Sequence, residues 1–190
     1  MAADEERTAL KTIKHQGGKP MPKLAALAVS VGVLAVVATW LFGLPPSVAL
    51  KLQVWQAFIA WGCHFHTGGK FTGCRTAAIC MIFGSVVGMA AVMLAGQLGA
   101  AGALAAPIAV GVGATVIVLA SALPLLSNIP SSVYGFAAIA GLILVGSVAP
   151  AAALLPTVVS ILIGAAFGYV SEWLAGVLTK KDAGLAAAAA

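Results

Sequence analysis

The 190-residue chain is 62% hydrophobic and only 8% charged, against roughly a quarter charged in soluble domains, which excludes a fold surrounded by water. Its net charge of +5 gathers at the two ends, and no basic patch with interleaved aromatics accompanies it, which excludes a nucleic-acid partner. Between Leu24 and Thr179 the charged residues are Lys51, Lys70, Arg75 and Glu172. The apolar runs are continuous and about 20 residues long, unlike the alternating ~10-residue segments of a barrel. They predict an all-α, polytopic membrane helical bundle of about six transmembrane helices, with the lipid bilayer as its first partner.

Residues 1–23 form a polar lead with bases at Arg7, Lys11, Lys14, Lys19 and Lys23 and acids at Asp4, Glu5 and Glu6. The charged stretch is too long, and the following apolar run too complete, for a secretory signal. Residues 24–178 form the transmembrane domain. Its first segment is Leu24–Phe42, closed by Gly43-Leu44-Pro45-Pro46. The second is short, Val54–Phe65, ending at His66-Thr67-Gly68-Gly69. The third is Thr76–Ala95 and the fourth Ala103–Leu126. The fifth, Ser131–Val148, follows Ser127-Asn128-Ile129-Pro130, and the sixth is Ala151–Leu174. Residues 179–190 are an Ala-rich tail.

Cytoplasmic loops are enriched in Lys and Arg. The five bases of the lead place the N-terminus inside. Six crossings then put Lys70, Arg75, Lys180 and Lys181 inside too, leaving Lys51 as the base outside, so both ends are expected in the cytoplasm of a bacterial inner membrane. The second segment strains this count, because its ~12-residue apolar core is short for ~30 Å of hydrocarbon. It is either a short span completed by Pro46–Leu52 or a re-entrant helix. Trp40 and Trp173 sit where interfacial anchors belong.

The third and sixth segments share a pattern. Gly84-x-x-x-Gly88 with Leu94-Ala95-Gly96 matches Gly164-x-x-x-Gly168 with Leu174-Ala175-Gly176 at a constant offset of 80. Three spans per half would make the halves a 3+3 inverted repeat, an architecture of transporters and channels. The paired glycines also suit close helix packing, within the chain or between subunits.

Polar groups at membrane depth are costly and therefore informative. Trp61, His64 and His66 mark the end of the second segment. On a helix the two histidines diverge by roughly 200°, so they would not grip one ion together. Asn128, Ser131, Ser132 and Tyr134 mark the proline-broken start of the fifth segment, where hydrogen-bonding groups face a cavity or form a plain turn. Glu172 suits an interfacial pair with Lys180, Arg75 or another base. Cys63, Cys74 and Cys80 have neither disulfide nor zinc spacing, and read as small packing residues. Gly68-Gly69-Lys70 lacks the spacing of a phosphate loop. No acid pair, nucleophile–base set or metal motif appears, so no catalytic residue, metal or cofactor is assigned and an enzyme is not expected.

The order of Trp55, Phe58, Trp61, Phe65, Gly68, Gly69 and Gly73, then Leu126–Pro130 with Gly135, then Leu155-Pro156 and Gly164-x-x-Phe167-Gly168-Tyr169, resembles a family of small bacterial inner-membrane proteins, domain of unknown function 1097. The likeness runs from Val33 to Leu174 and implies a multi-span inner-membrane protein without naming an activity. The leading expectation is a permease or channel for a small polar or uncharged solute, using Trp61, His64, His66, Asn128, Ser131, Ser132 and Tyr134, packed through Gly84, Gly88, Gly164 and Gly168, and assembled as a homo-oligomer. The rival is an accessory subunit that packs against another membrane protein and transports nothing.

Overall fold

A computed structural model describes residues 21–188, with side chains through Thr179. Most of the expected polar lead, the last two residues of the tail, and the side chains of Lys180 and Lys181 lie outside that description. Among the described residues every regular element is helical and no strand occurs. In chain order they are α1 (Lys23–Gly43), a one-turn α2 (Pro45–Ala49), α3 (Val54–His66), α4 (Lys70–Gln97), α5 (Ala105–Ala120), α6 (Ile129–Leu144) and α7 (Pro150–Ala188). Short 3-10 turns at Gly99–Leu104 and Pro124–Leu126 precede α5 and α6.

Helix ends follow from proline and glycine chemistry. Leu44, ahead of Pro45, is extended at φ −68° and ψ 146°, as the residue before proline prefers. Leu123, ahead of Pro124, is likewise extended at φ −83° and ψ 128°. This ends α5 at Ala120, short of the expected Leu126. α4 begins at Lys70 instead of Thr76, so Lys70 and Arg75 occupy its first turns. A helix satisfies its own backbone and need not end where the hydrocarbon does.

Among the described residues four helical stretches are long and apolar enough to cross a bilayer: Lys23–Gly43, Lys70–Gln97, Gly99–Ala120 and Pro150–Thr179. At 1.5 Å per residue, the 13 residues of α3 reach ~20 Å. The 16 residues of α6 reach ~24 Å, also short of a ~30 Å hydrocarbon core.

The chain divides into two compact units. The larger, Val37–Tyr169, is built on α4. Gly84 of α4 lies so close to Ser132 of α6 that a methyl group would overlap the Ser132 carbonyl, and Gly135 of α6 stands in the same relation to Met81. Gly88 meets Phe136 and Ile139, so α4 and α6 run in the same direction. α3 and α7 form a second such pair. Gly164 meets the Ala57 carbonyl and Gly168 the His64 side chain. One buried cluster joins Ala60, Cys63, Ala77, Met81 and Ile161, and another joins Ile139, Leu142, Ile143, Val148 and Ala153.

Among the described residues the smaller unit comprises residues 21–36 and 170–188. Within it the buried Ser30 hydroxyl donates to the Ser171 carbonyl at 2.6 Å. A groove of about 290 Å³ is lined by Lys23, Leu27, Glu172, Ala175, Gly176 and Thr179. It brings one base and one acid to the same recess. Trp173 beside them is 60% exposed.

Candidate functional site

α3 begins after an extended Gln53, at φ −116° and ψ 111°, whose side chain caps nothing. The Gln53 backbone N–H donates instead to Ser160 Oγ of α7 at 2.9 Å. α3 ends in a reversal. Gly68, Gly69 and Lys70 take positive φ in succession, at 95°, 69° and 57°, and the Gly69 N–H donates to the His64 carbonyl at 3.0 Å. Two glycines there satisfy a backbone that L side chains resist, so the Gly-Gly-Lys run is a helix-reversing turn.

α6 carries Pro130 in its first turn, where the missing N–H would have no intrahelical partner in any case. Asn128 is its N-cap, with Oδ1 accepting from the Ser131 N–H at 3.0 Å and from the Ser131 hydroxyl. Asn is among the best residues for this position. The serine proton is thus directed to Asn128, so the Cys63 thiol, 3.0 Å from Ser131 Oγ, must be the donor to Ser131. A chain from Cys63 to Ser131 to Asn128 ties α3 to α6.

A second polar tie crosses the same two helices. The Gln56 amide nitrogen donates to the Ala138 carbonyl of α6 at 2.9 Å and to Thr157 Oγ1 of α7 at 3.1 Å. Gln56, Ser131 and Thr157 are buried. The Gln56 carbonyl oxygen Oε1 is also buried and has no hydrogen-bond partner among the described residues. Ser132 Oγ is in the same condition, with the Cys80 thiol close by.

The residues singled out from sequence divide into two groups. Asn128 and Ser131 lie together on the Cys63 tie, and His66 of α3 meets Tyr134 of α6 edge to face at 6.1 Å between ring centres. Trp61 and His64 turn instead towards α7. Trp61 stacks between Phe58 at 5.7 Å and Phe167 at 5.5 Å, and the buried His64 packs on Gly168. The two histidines diverge as a helix requires, His64 buried and His66 exposed. Ser132 is buried against α4 at Gly84. Trp61 is 4% exposed, so Trp61→Ala leaves a large void between two rings. Such truncations cost about 3 kcal/mol or more. The expected outcome is a marked drop in the detergent melting temperature, read by size-exclusion chromatography after heating. An unchanged melting temperature would refute the stacked placement of Trp61.

Gln56 escapes a reading by sequence motif. Its signal is an amide inside an apolar helix, three residues after Gln53, where an unpaired polar group is costly. Among the described residues no group of three His, Cys, Asp or Glu side chains is placed to hold a metal ion.

Residues 28–176 match the family described as a protein of unknown function, DUF1097. No curated protein and no solved structure matches the chain. The match covers most of the sequence and coincides with the apolar helices of spanning length, so the chain is a membrane protein belonging to the DUF1097 family.

Proposed function

We propose that this chain is a small-solute permease or channel of the bacterial inner membrane, built from two inverted halves, working as a homo-oligomer and without enzymatic activity. The observation that carries the reading is a reciprocity of contacts. Gln56 of α3 bonds to Ala138 of α6, while Ser131 of α6 bonds to Cys63 of α3. Gln56 and Ser131 are 75 residues apart, and so are Cys63 and Ala138. The N-caps Gln53 and Asn128 are again 75 apart. The glycine crossings follow suit: Gly84 on Ser132 corresponds to Gly164 on Ala57, and Gly88 on Ile139 to Gly168 on His64. Exchanging the halves maps each contact onto its partner.

Burial agrees with this exchange. The most apolar windows of Lys70–Gln97 and Pro150–Thr179 are each 44% buried, and those of Lys23–Gly43 and Gly99–Ala120 are each 17% buried. The short helices α3 and α6 are then the middle elements of the two halves, the place where inverted-repeat transporters hold substrate. Six crossings, with α3 completed by α2 and α6 by the Pro124–Leu126 turn that precedes it, keep both termini cytoplasmic under the charge rule. Ser131, Ser132 and Asn128 from one half and Gln56 from the other supply hydrogen-bonding groups, while His66 and Tyr134 lie at one end of the crossing.

Stopped-flow light scattering on proteoliposomes tests the reading with urea, acetamide, glycerol and ammonia. The expected result is influx of at least one solute several-fold faster than in protein-free vesicles. Rates equal to empty vesicles for the whole panel would overturn transport and favour the accessory-subunit role.

A further inference from the structure

One buried amide keeps an acceptor unmet among the described residues. Gln56 lies fully buried at the meeting of α3, α6 and α7. Both hydrogens of its side-chain nitrogen are committed, one to the Ala138 carbonyl and one to Thr157 Oγ1. These bonds also fix the amide plane, because exchanging its oxygen and nitrogen would set the oxygen against the Ala138 carbonyl. Oε1 therefore points to one place, with no donor to meet it among the described residues. Buried acceptors left unmet cost folding free energy, and at membrane depth there is no bulk water to meet them.

We propose that Gln56 is the specificity-determining residue of the solute pathway, and that its Oε1 accepts a hydrogen bond from a small uncharged solute bearing an N–H donor, with urea and acetamide as the probes. This rests on the permease reading above. The charge argument comes from the same unit: Val37–Tyr169 contains no Asp or Glu, so a cation would find no carboxylate there to balance it. A single fixed acceptor orients a neutral donor. Thr157 is the positioning residue, because its hydroxyl holds the amide that presents Oε1. Pro156 beside it sits within α7 and has no N–H to donate.

The test uses full-length protein in proteoliposomes, with Gln56→Met and Thr157→Val beside wild type. Methionine preserves length and volume and removes the unmet acceptor. The expected result is urea and acetamide influx reduced at least tenfold relative to glycerol in Gln56→Met, in protein that still elutes as wild type does by size-exclusion chromatography. Thr157→Val keeps the Ala138 bond but removes the second anchor of the amide, so Oε1 is held less firmly and urea influx is expected to fall several-fold. A merely structural Gln56 would instead leave the relative rates of the solutes unchanged, which overturns the proposal. Osmotic water flux runs in parallel: if Gln56→Met slows water and leaves urea unaffected, the occupant is water and the solute assignment fails. If wild type itself transports nothing, the permease reading fails first, and the variants are not what decided it. Should Gln56→Met not fold, Thr157→Val alone decides, since unchanged urea selectivity there refutes the positioning of Oε1.

Discussion

Gly84→Ala and Gly135→Ala are expected to abolish the folded protein or lower its melting temperature severely. At both positions the added methyl would overlap a backbone carbonyl, that of Ser132 for Gly84 and of Met81 for Gly135. A side-chain clash can be relieved by a rotamer change. Alanine has no χ1 rotamer to change, and the opposing carbonyl belongs to a helix that moves as a unit. Overpacking a core costs about 1–3 kcal/mol even where side chains can adjust; here α4 and α6 must separate along their length, so the cost exceeds that range. Controls are built into the chain. At Gly62 in α3 and Gly111 in α5 an added methyl would meet nothing within 4 Å, and replacing a helical glycine by alanine at such a site gains about 0.5–1 kcal/mol. The measurement is the melting temperature in detergent for all four variants, with Gly164→Ala as a fifth. Gly164 opposes the Ala57 carbonyl and should behave like Gly84 if the halves are equivalent. Indifference of the protein to alanine at Gly84 would refute the close α4–α6 approach, and a mild Gly164 beside a severe Gly84 would break the equivalence.

The positions of the helices are legible in the sequence because apolar runs between Gly and Pro punctuation leave the backbone few choices. Their ends are less legible. Lys70 and Arg75 resemble loop residues by hydropathy, yet they are the start of α4, since a backbone leaving the bilayer can remain helical in the headgroup region. Ser127–Ser132 suits either a turn or a pathway lining; Asn128 capping α6 through Ser131 makes the turn a structured helix start. The pair Gly84 and Gly88 announces a close approach but cannot name its partner, because the carbonyl it meets lies 48 residues away in Ser132. Trp61 has polar neighbours in the sequence that suggest a pathway. Its spacing of three from Phe58 is readable as a shared helical face, but Phe167, more than a hundred residues on, is not. Gln56 is the most legible omission: one amide in an apolar helix is a local fact, whereas its tie to Ala138 and Thr157 is a tertiary one.

Joining α3 to α6 covalently should stop transport. Cys63 Sγ and Ser131 Oγ are 3.0 Å apart, so Ser131→Cys sets two thiols face to face, and the longer carbon–sulfur bond brings them nearer the ~2.05 Å of a disulfide. Copper–phenanthroline supplies the oxidant: two thiols lose two protons and two electrons, and one S–S bond forms. Peptide mapping by mass spectrometry should find Cys63 linked to the introduced cysteine, with Cys74 remaining a free thiol as in the parent protein. Failure to link them under conditions that oxidise exposed thiols would argue against the α3–α6 tie itself. The functional consequence depends on what the crossing does. In an inverted-repeat transporter one repeat rocks against the other around the site, and here α3 and α6 belong to opposite repeats. A bond across the polar tie forbids that motion, and influx should fall to the rate of protein-free vesicles, returning when dithiothreitol cleaves the bond. Ser131→Ala controls for loss of the serine bond to Asn128, and reduced Ser131→Cys controls for the larger sulfur. Undiminished influx through the linked protein would mean that solute passes without separating α3 from α6. The pathway would then lie elsewhere in the bundle, and the buried polar ties would be reassigned from the transport route to the rigid joint between its halves.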